Sequence, residues 1–180
     1  AVLAANGERY VQELTGVFKG FECEMVLLAA RGTSDNAALY ARYLIEIHLG
    51  IPVSLAAPSV FTRYHAKVRY PNCLAIGISQ SGAAPDVAEV LDELRQQGHT
   101  TLAITNTQGS RLTQVAEHSL LLGVGPELSV AATKTYTASL LALYQLVRAL
   151  GGALPNPMEF LPTEAWEFEC KAVAKDSTAV

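Results

Sequence analysis

Short apolar runs alternate along this chain with longer stretches of helical spacing, and the alternation predicts the architecture. Glu24 to Ala30, "EMVLLAA", reads as a buried strand. Ser34 to Leu49 has helical spacing, with Leu39, Tyr43 and Ile47 as its stripe and Ala38, Leu44 and Ile45 beside it; Gly50 ends it. Ile51 to Ala57 reads as a second strand, followed by a short helical piece over Val60 to Ala66. Cys73 to Ile78 is the third strand, and Val87 to Arg95 a helix with Val87, Val90, Leu91 and Leu94 on one face. Thr101 to Thr105 and Ser119 to Leu122 are the fourth and fifth strands, with a short helix over Leu112 to Ala116 between them. A last helix runs from about Ser129 to Leu150, with Leu140, Leu143, Tyr144 and Val147 as its stripe, and Gly151-Gly152 stops it.

Strands that alternate with helices predict βαβ units: an α/β, three-layer αβα sandwich built on a parallel sheet. Five strands without a GxGxxG element favour the flavodoxin-like order 2-1-3-4-5 over the dinucleotide fold. In that order the chain reverses direction between strands 1 and 3, and ligands bind beyond the carboxyl ends of the strands at that point. The loops after Ala30 and after Ile78 are the two that meet there.

Both loops are rich in hydroxyls: "RGTSDN" comes after the first strand and "SQSGAAPD" after the third. Pro85 fits the first position of a helix, which leaves Ala84 at the cap with no side-chain acceptor to offer. The unpaired N–H groups of that helix start, and its dipole, favour an anion. Ser79, Gln80 and Ser81 would then line a phosphate site that contains no lysine or arginine. The alternative is a loop whose serines cap locally or bind water. Ser34 is also a good N-cap for its own helix, so a ligand role for Thr33 and Ser34 competes with capping. Ser110 reads as a cap and Asn106 as a turn residue. Ser129 is a candidate cap for the last helix, and Lys134 either meets an anion or sits in an ordinary ion pair.

Composition narrows the function classes. A chain of 180 residues, half hydrophobic and 17% charged, fits one globular domain. A net charge of −4 without a basic run argues against nucleic acid, and no apolar run is long enough to span a membrane. Cys23, Cys73 and Cys170 form no CxxC, which suits reduced thiols in a cytoplasmic protein. His48, His65, His99 and His118 are scattered, so neither a metal site nor a cofactor is expected. The start carries acidic residues and no basic stretch, so no secretory signal is expected. It also lacks an initiator methionine, as a piece of a longer protein would.

Four stretches carry a resemblance: "GTSDNA" (Gly32–Ala37), "ISQSGAAPD" (Ile78–Asp86), "TNTQGSRL" (Thr105–Leu112) and "GPELSVAATKTYTASL" (Gly125–Leu140). Together they resemble an SIS (sugar isomerase) domain, the first of the tandem pair in the isomerase part of glucosamine-6-phosphate synthase and related phosphosugar isomerases and deaminases. The resemblance implies a hexose-6-phosphate or amino-sugar phosphate as ligand. Ser79, Gln80 and Ser81 match the family's phosphate loop, Thr33 and Ser34 its sugar-side loop, and Val130 a backbone contact to the ligand. It further implies a second SIS domain or subunit as partner, with the final helix and apolar helix faces packing on it. The catalytic groups would come from that second half, and the function would be that of an aldose–ketose isomerase or amino-sugar-phosphate deaminase or synthase. A non-catalytic sugar-phosphate sensor in a regulator is the alternative. Two positions depart from the family: Ala84 stands where related sequences often carry threonine, and Ala132 where the synthase carries serine. The expected division is an SIS domain over residues 1–152 and a linker with a C-terminal segment over 153–180.

Overall fold

The computed structural model describes residues 2–127 and 132–159. Five strands form one parallel sheet in the order 2-1-3-4-5: β1 (Met25–Ala30), β2 (Val53–Leu55), β3 (Cys73–Ile78), β4 (Thr100–Thr105) and β5 (His118–Leu121). The helices are α1 (Val2–Phe18), α2 (Thr33–Leu49), α3 (Pro58–Thr62), α4 (Pro85–Gln96), α5 (Arg111–Val115) and α6 (Lys134–Ala149). The strand order and the α/β class are those expected from the alternation of periods.

The two faces of the sheet are built differently. Leu74, Ile76 and Ile78 of β3 point to one face with Val26, Leu28, Leu102 and Ile104, where α1, α2 and α6 cover them. The other face carries small residues, Ala29, Cys73, Ala75 and Ala103, against Val87, Leu91 and Leu94 of α4. Gly77 belongs to this second face: a Cβ there would lie 2.9 Å from a Leu91 methyl and 3.0 Å from one of Leu112. Small strand residues therefore let α4 and α5 sit close to the sheet. Burial pushes the Cys73 thiol up to about 12, and Cys23 is raised by burial too, which disfavours the thiolate form of both.

Three features differ from the sequence-based expectation. The first helix was not expected: Tyr10, Leu14 and Phe18, four residues apart, are fully buried, and the Tyr10 hydroxyl and Arg9 guanidinium donate to the carbonyls of Leu122 and Leu121 at the end of β5. In α2 the expected stripe points outward. Leu39, Tyr43 and Ile47 are 44%, 61% and 69% exposed, while Ala37, Ala38, Ala41 and Ile45 are buried. Alanines serve on the inner face because α2 packs closely against both the sheet and its neighbour α6. Finally α6 begins at Lys134. Its first turn is capped by Glu127, whose Oε2 accepts from the N–H groups of Thr133 and Thr135 and from the Thr135 hydroxyl.

Candidate functional site

Sheet register brings the two hydroxyl-rich loops side by side. Ala30 at the end of β1 is level with Ile78 at the end of β3, and Ile78 with Ile104 of β4. The chain leaves all three strands at the same edge. Residues 31–34 and 79–82 therefore emerge next to each other, with 105–110 beyond them.

The loop after β3 is held from behind by the end of β4 and the start of α5. Ser79 N–H donates to Ile104 O, while Asn106 N–H and the Thr105 hydroxyl both donate to Gln80 O at 3.1 and 3.2 Å. Leu112 N–H donates to Gly82 O. Within the loop, Gly82 N–H donates to Ser79 Oγ at 3.2 Å, and Ala83 N–H donates to Ser81 Oγ at 3.3 Å. Both serine oxygens are acceptors for the backbone, which leaves each hydroxyl proton to donate elsewhere. Ser79 is buried, Gln80 half-buried and Ser81 exposed. Gly82 is buried with φ 62°, a conformation glycine adopts without a steric penalty.

Helix α4 starts as expected. Ala84 is its N-cap and makes no side-chain capping bond, Pro85 stands at the first position, and Asp86 is in the first turn. The leading N–H groups of a helix have no partner inside it. Serine hydroxyls, the Gln80 amide and the uncapped start of α4 thus form one group of hydrogen-bond donors, suited to an anion.

The loop after β1 corrects one expectation. The N-cap of α2 is Gly32, with φ 58° and no side-chain bond, so Ser34 lies inside the first turn and is not the cap. Ser34 N–H instead donates to Arg31 O, a turn that begins the helix one residue earlier. Thr33 and Ser34 are half-buried at the start of α2, beside the phosphate-loop candidates. Ser110 occupies the N-cap position of α5 but makes no capping bond. Its Oγ is buried and has no hydrogen-bond partner among the described residues. Asn106 does more than turn the chain: its amide donates to Gly125 O at 2.7 Å and accepts from Val124 N–H, which fixes the entry to the segment before α6. Val130 and Ser129 lie outside the described residues. Lys134 is exposed at the first position of α6.

Sequence reasoning missed a cation. Arg31 Nη1 donates to Asp86 Oδ2 at 2.9 Å, joining the loop after β1 to the first turn of α4. The phosphate-loop candidate contains no basic residue, but its neighbour supplies one. Arg31 opens "RGTSDN", and its placement beside the other loop was the available signal.

A cavity of about 350 Å³ lies at the opposite end of the sheet, lined by Glu13, Phe18, Leu102, Glu117 and His118 among others. It gathers no comparable set of donors and is far in the fold from the reversal point. Chemistry and topology both favour the loop edge over this cavity.

Relatives share this architecture. The chain is 43% identical over 152 residues to the glutamine–fructose-6-phosphate aminotransferase (isomerizing) of Methanothermobacter thermautotrophicus, covering 83% of this chain and 25% of that protein. It superposes on a Silicibacter pomeroyi DSS-3 protein designated a phosphosugar isomerase with a TM-score of 0.77 at 33% identity, over 82% of this chain and 47% of that one. The C-terminal domain of the Francisella tularensis glucosamine-fructose-6-phosphate aminotransferase matches with a TM-score of 0.67 at 26% identity, over 88% of this chain and 50% of that one. The chain therefore spans about a quarter of the aminotransferase and about half of each structural relative. A family model for the SIS domain matches residues 21–149, from just before β1 to the end of α6. With the sheet order and the loop edge at its reversal point both inside that span, the chain belongs to the SIS domain family.

Proposed function

We propose that this chain is the phosphosugar-binding half of an enzyme that acts on fructose-6-phosphate or glucosamine-6-phosphate, as an aldose–ketose isomerase or an amino-sugar-phosphate deaminase or synthase. The observation that carries the reading is the donor set at the carboxyl edge of β3: two serine hydroxyls whose oxygens already accept backbone N–H groups, next to an uncapped helix start. Ser79, Gln80 and Ser81 hold the phosphate, and Thr33 and Ser34 face the sugar across the reversal point. Val130 adds a backbone contact. Residues 1–152 form the SIS unit and 153–180 the segment that leaves it.

The phosphate serves as a remote anchor. Its binding energy fixes the sugar carbons where a general base can remove the proton next to the carbonyl. The base belongs to a second SIS unit, so this chain alone binds the phosphosugar and turns it over very poorly. Titration calorimetry of the purified chain with fructose-6-phosphate, glucosamine-6-phosphate and the plain sugars tests the reading. Saturable binding of the phosphorylated sugars, much tighter than that of the plain sugars, supports it. Equal affinity for plain sugars, or rapid turnover by this chain, would sink it.

The partner is a second SIS unit. The outer face of α2 supports this, since Leu39, Tyr43 and Ile47 expose an apolar stripe along the helix. The length of the structural relatives, about twice the matched span, supports it too. In isolation the chain pairs with its own copy. Sedimentation should show a dimer at high concentration, and Tyr43→Glu with Ile47→Glu should shift it to monomer. Monomer alone in the unmodified chain at high concentration would count against the stripe. Cytoplasmic residence completes the reading and is supported by the free thiols of Cys23 and Cys73. No helix among the described residues is long and apolar enough to cross a membrane.

A further inference from the structure

Asp86 is a carboxylate in the wrong place for a phosphate site. It stands in the first turn of α4, at the helix end that the anion would occupy. A carboxylate there gains from the helix dipole, but it uses up the same field that would attract a dianion and repels it directly. The side chain is only 16% exposed, and Oδ1 is buried without a hydrogen-bond partner among the described residues. Water therefore screens this charge poorly. Its ion-pair partner is Arg31, from the other loop at the reversal point, which reaches Oδ2 at 2.9 Å while remaining 68% exposed itself.

We propose that Arg31 is a specificity-determining, positioning residue: by neutralising Asp86 it lets the start of α4 accept a phosphorylated sugar. The proposal rests on the phosphosugar reading of Ser79, Gln80 and Ser81. With its Arg31 partner 68% exposed, the pair itself contributes little to folding. The value of this one lies in its location, where a net charge of zero replaces a net charge of minus one beside the ligand.

The charges predict a pattern that a mechanical clasp between the loops does not. Arg31→Gln uncovers the Asp86 charge and weakens a hexose-6-phosphate about three- to tenfold. Asp86→Asn frees the Arg31 cation and tightens the same ligand by a similar factor. The double variant returns to within about twofold of the unmodified chain, because the local charge is again zero. Each single effect shrinks as salt rises, and plain fructose, which carries no charge, responds to none of the changes. Arg31→Lys keeps the charge and keeps most of the affinity. A clasp would instead lose affinity in both single variants and in the double, for plain and phosphorylated sugar alike.

The experiment is a calorimetric titration of the full chain and these four variants with fructose-6-phosphate and fructose at low and high salt, with thermal midpoints recorded for each. Ser81→Ala is run beside them. Loss of affinity in Arg31→Gln, gain in Asp86→Asn and recovery in the double variant are the expected results. Loss in both single variants without recovery overturns the proposal. Where Arg31→Gln does not fold, Asp86→Asn alone decides: tighter phosphosugar binding supports the proposal, and unchanged or weaker binding overturns it. If Ser81→Ala keeps full affinity, the phosphosugar reading of the loop itself has failed and the role of Arg31 falls with it. If Ser81→Ala weakens binding while the charge variants do nothing, only the role of Arg31 is overturned.

Discussion

Gly82→Ala should destroy phosphosugar binding and visibly destabilise the chain, although it adds a single methyl group. A Cβ on Gly82 would fall 2.1 Å from Ser110 Oγ, 2.5 Å from Ser110 Cβ and 2.9 Å from Thr105 Oγ1. A hydroxyl can rotate away, but Ser110 Cβ is fixed to the backbone at the start of α5 and cannot. The φ of 62° adds a second penalty, about 1–2 kcal/mol for a residue with a side chain in the left-handed region. Crowding a packed site costs about 1–3 kcal/mol more. The chain can relieve both only by lifting the loop away from Thr105 and Ser110, which breaks the bonds from Thr105 and Asn106 to Gln80 O and from Leu112 to Gly82 O. That movement carries Ser79, Gln80 and Ser81 out of register with α4. The expected result is a fall in hexose-6-phosphate affinity of more than about tenfold, since every 1.4 kcal/mol is about tenfold, together with a lower urea midpoint. Ser110→Gly in the same chain removes the fixed carbon and should recover part of the stability, but not the share due to φ. Unchanged affinity in Gly82→Ala would mean that the loop does not hold the ligand.

The sheet and the loop edge were readable because each rests on a strong local signal. Strand and helix periods differ sharply over Cys73 to Leu94, and Pro85 after an uncappable Ala84 marks a helix start without ambiguity. What failed was the choice between two apolar faces of one helix. Leu39, Tyr43 and Ile47 are larger and more hydrophobic than Ala37, Ala38 and Ala41, so bulk favours the wrong stripe. Burial tracks close approach and not side-chain size, and alanine is the residue that permits it. In α1, Gly7 and Gly16 lower the helical signal around Tyr10, Leu14 and Phe18, which only tertiary packing makes good. Capping misled for a related reason. Ser34 and Ser110 are good caps by residue type, but the turn at Gly32 starts α2 a residue early, and Ser110 turns its hydroxyl inward against Gly82. The Arg31–Asp86 pair spans 55 residues and becomes visible only when the strand order is known.

Ser81→Ala is the cleanest test of the phosphate itself. Ser79 is buried and its Oγ accepts from Gly82 N–H, so removing it disturbs the loop as well as the ligand. Ser81 is exposed, and its only intramolecular side-chain bond among the described residues is the 3.3 Å contact from Ala83 N–H, which water can replace. Folding should therefore change by less than about 0.5 kcal/mol, the usual range for an exposed position. The hydroxyl proton that Ser81 would donate to a phosphate oxygen has no substitute in the loop. A hydrogen bond to a charged group contributes about 1.5–3 kcal/mol, so the hexose-6-phosphate should bind roughly tenfold or more weakly. The plain sugar makes no such bond and should bind as before. Calorimetric titration with both ligands, next to a thermal midpoint for each protein, separates the outcomes. A loss confined to the phosphorylated sugar at an unchanged midpoint assigns the phosphate to Ser81. An equal loss for both ligands, or none, would mean that the serines only shape the loop and that the anion sits elsewhere.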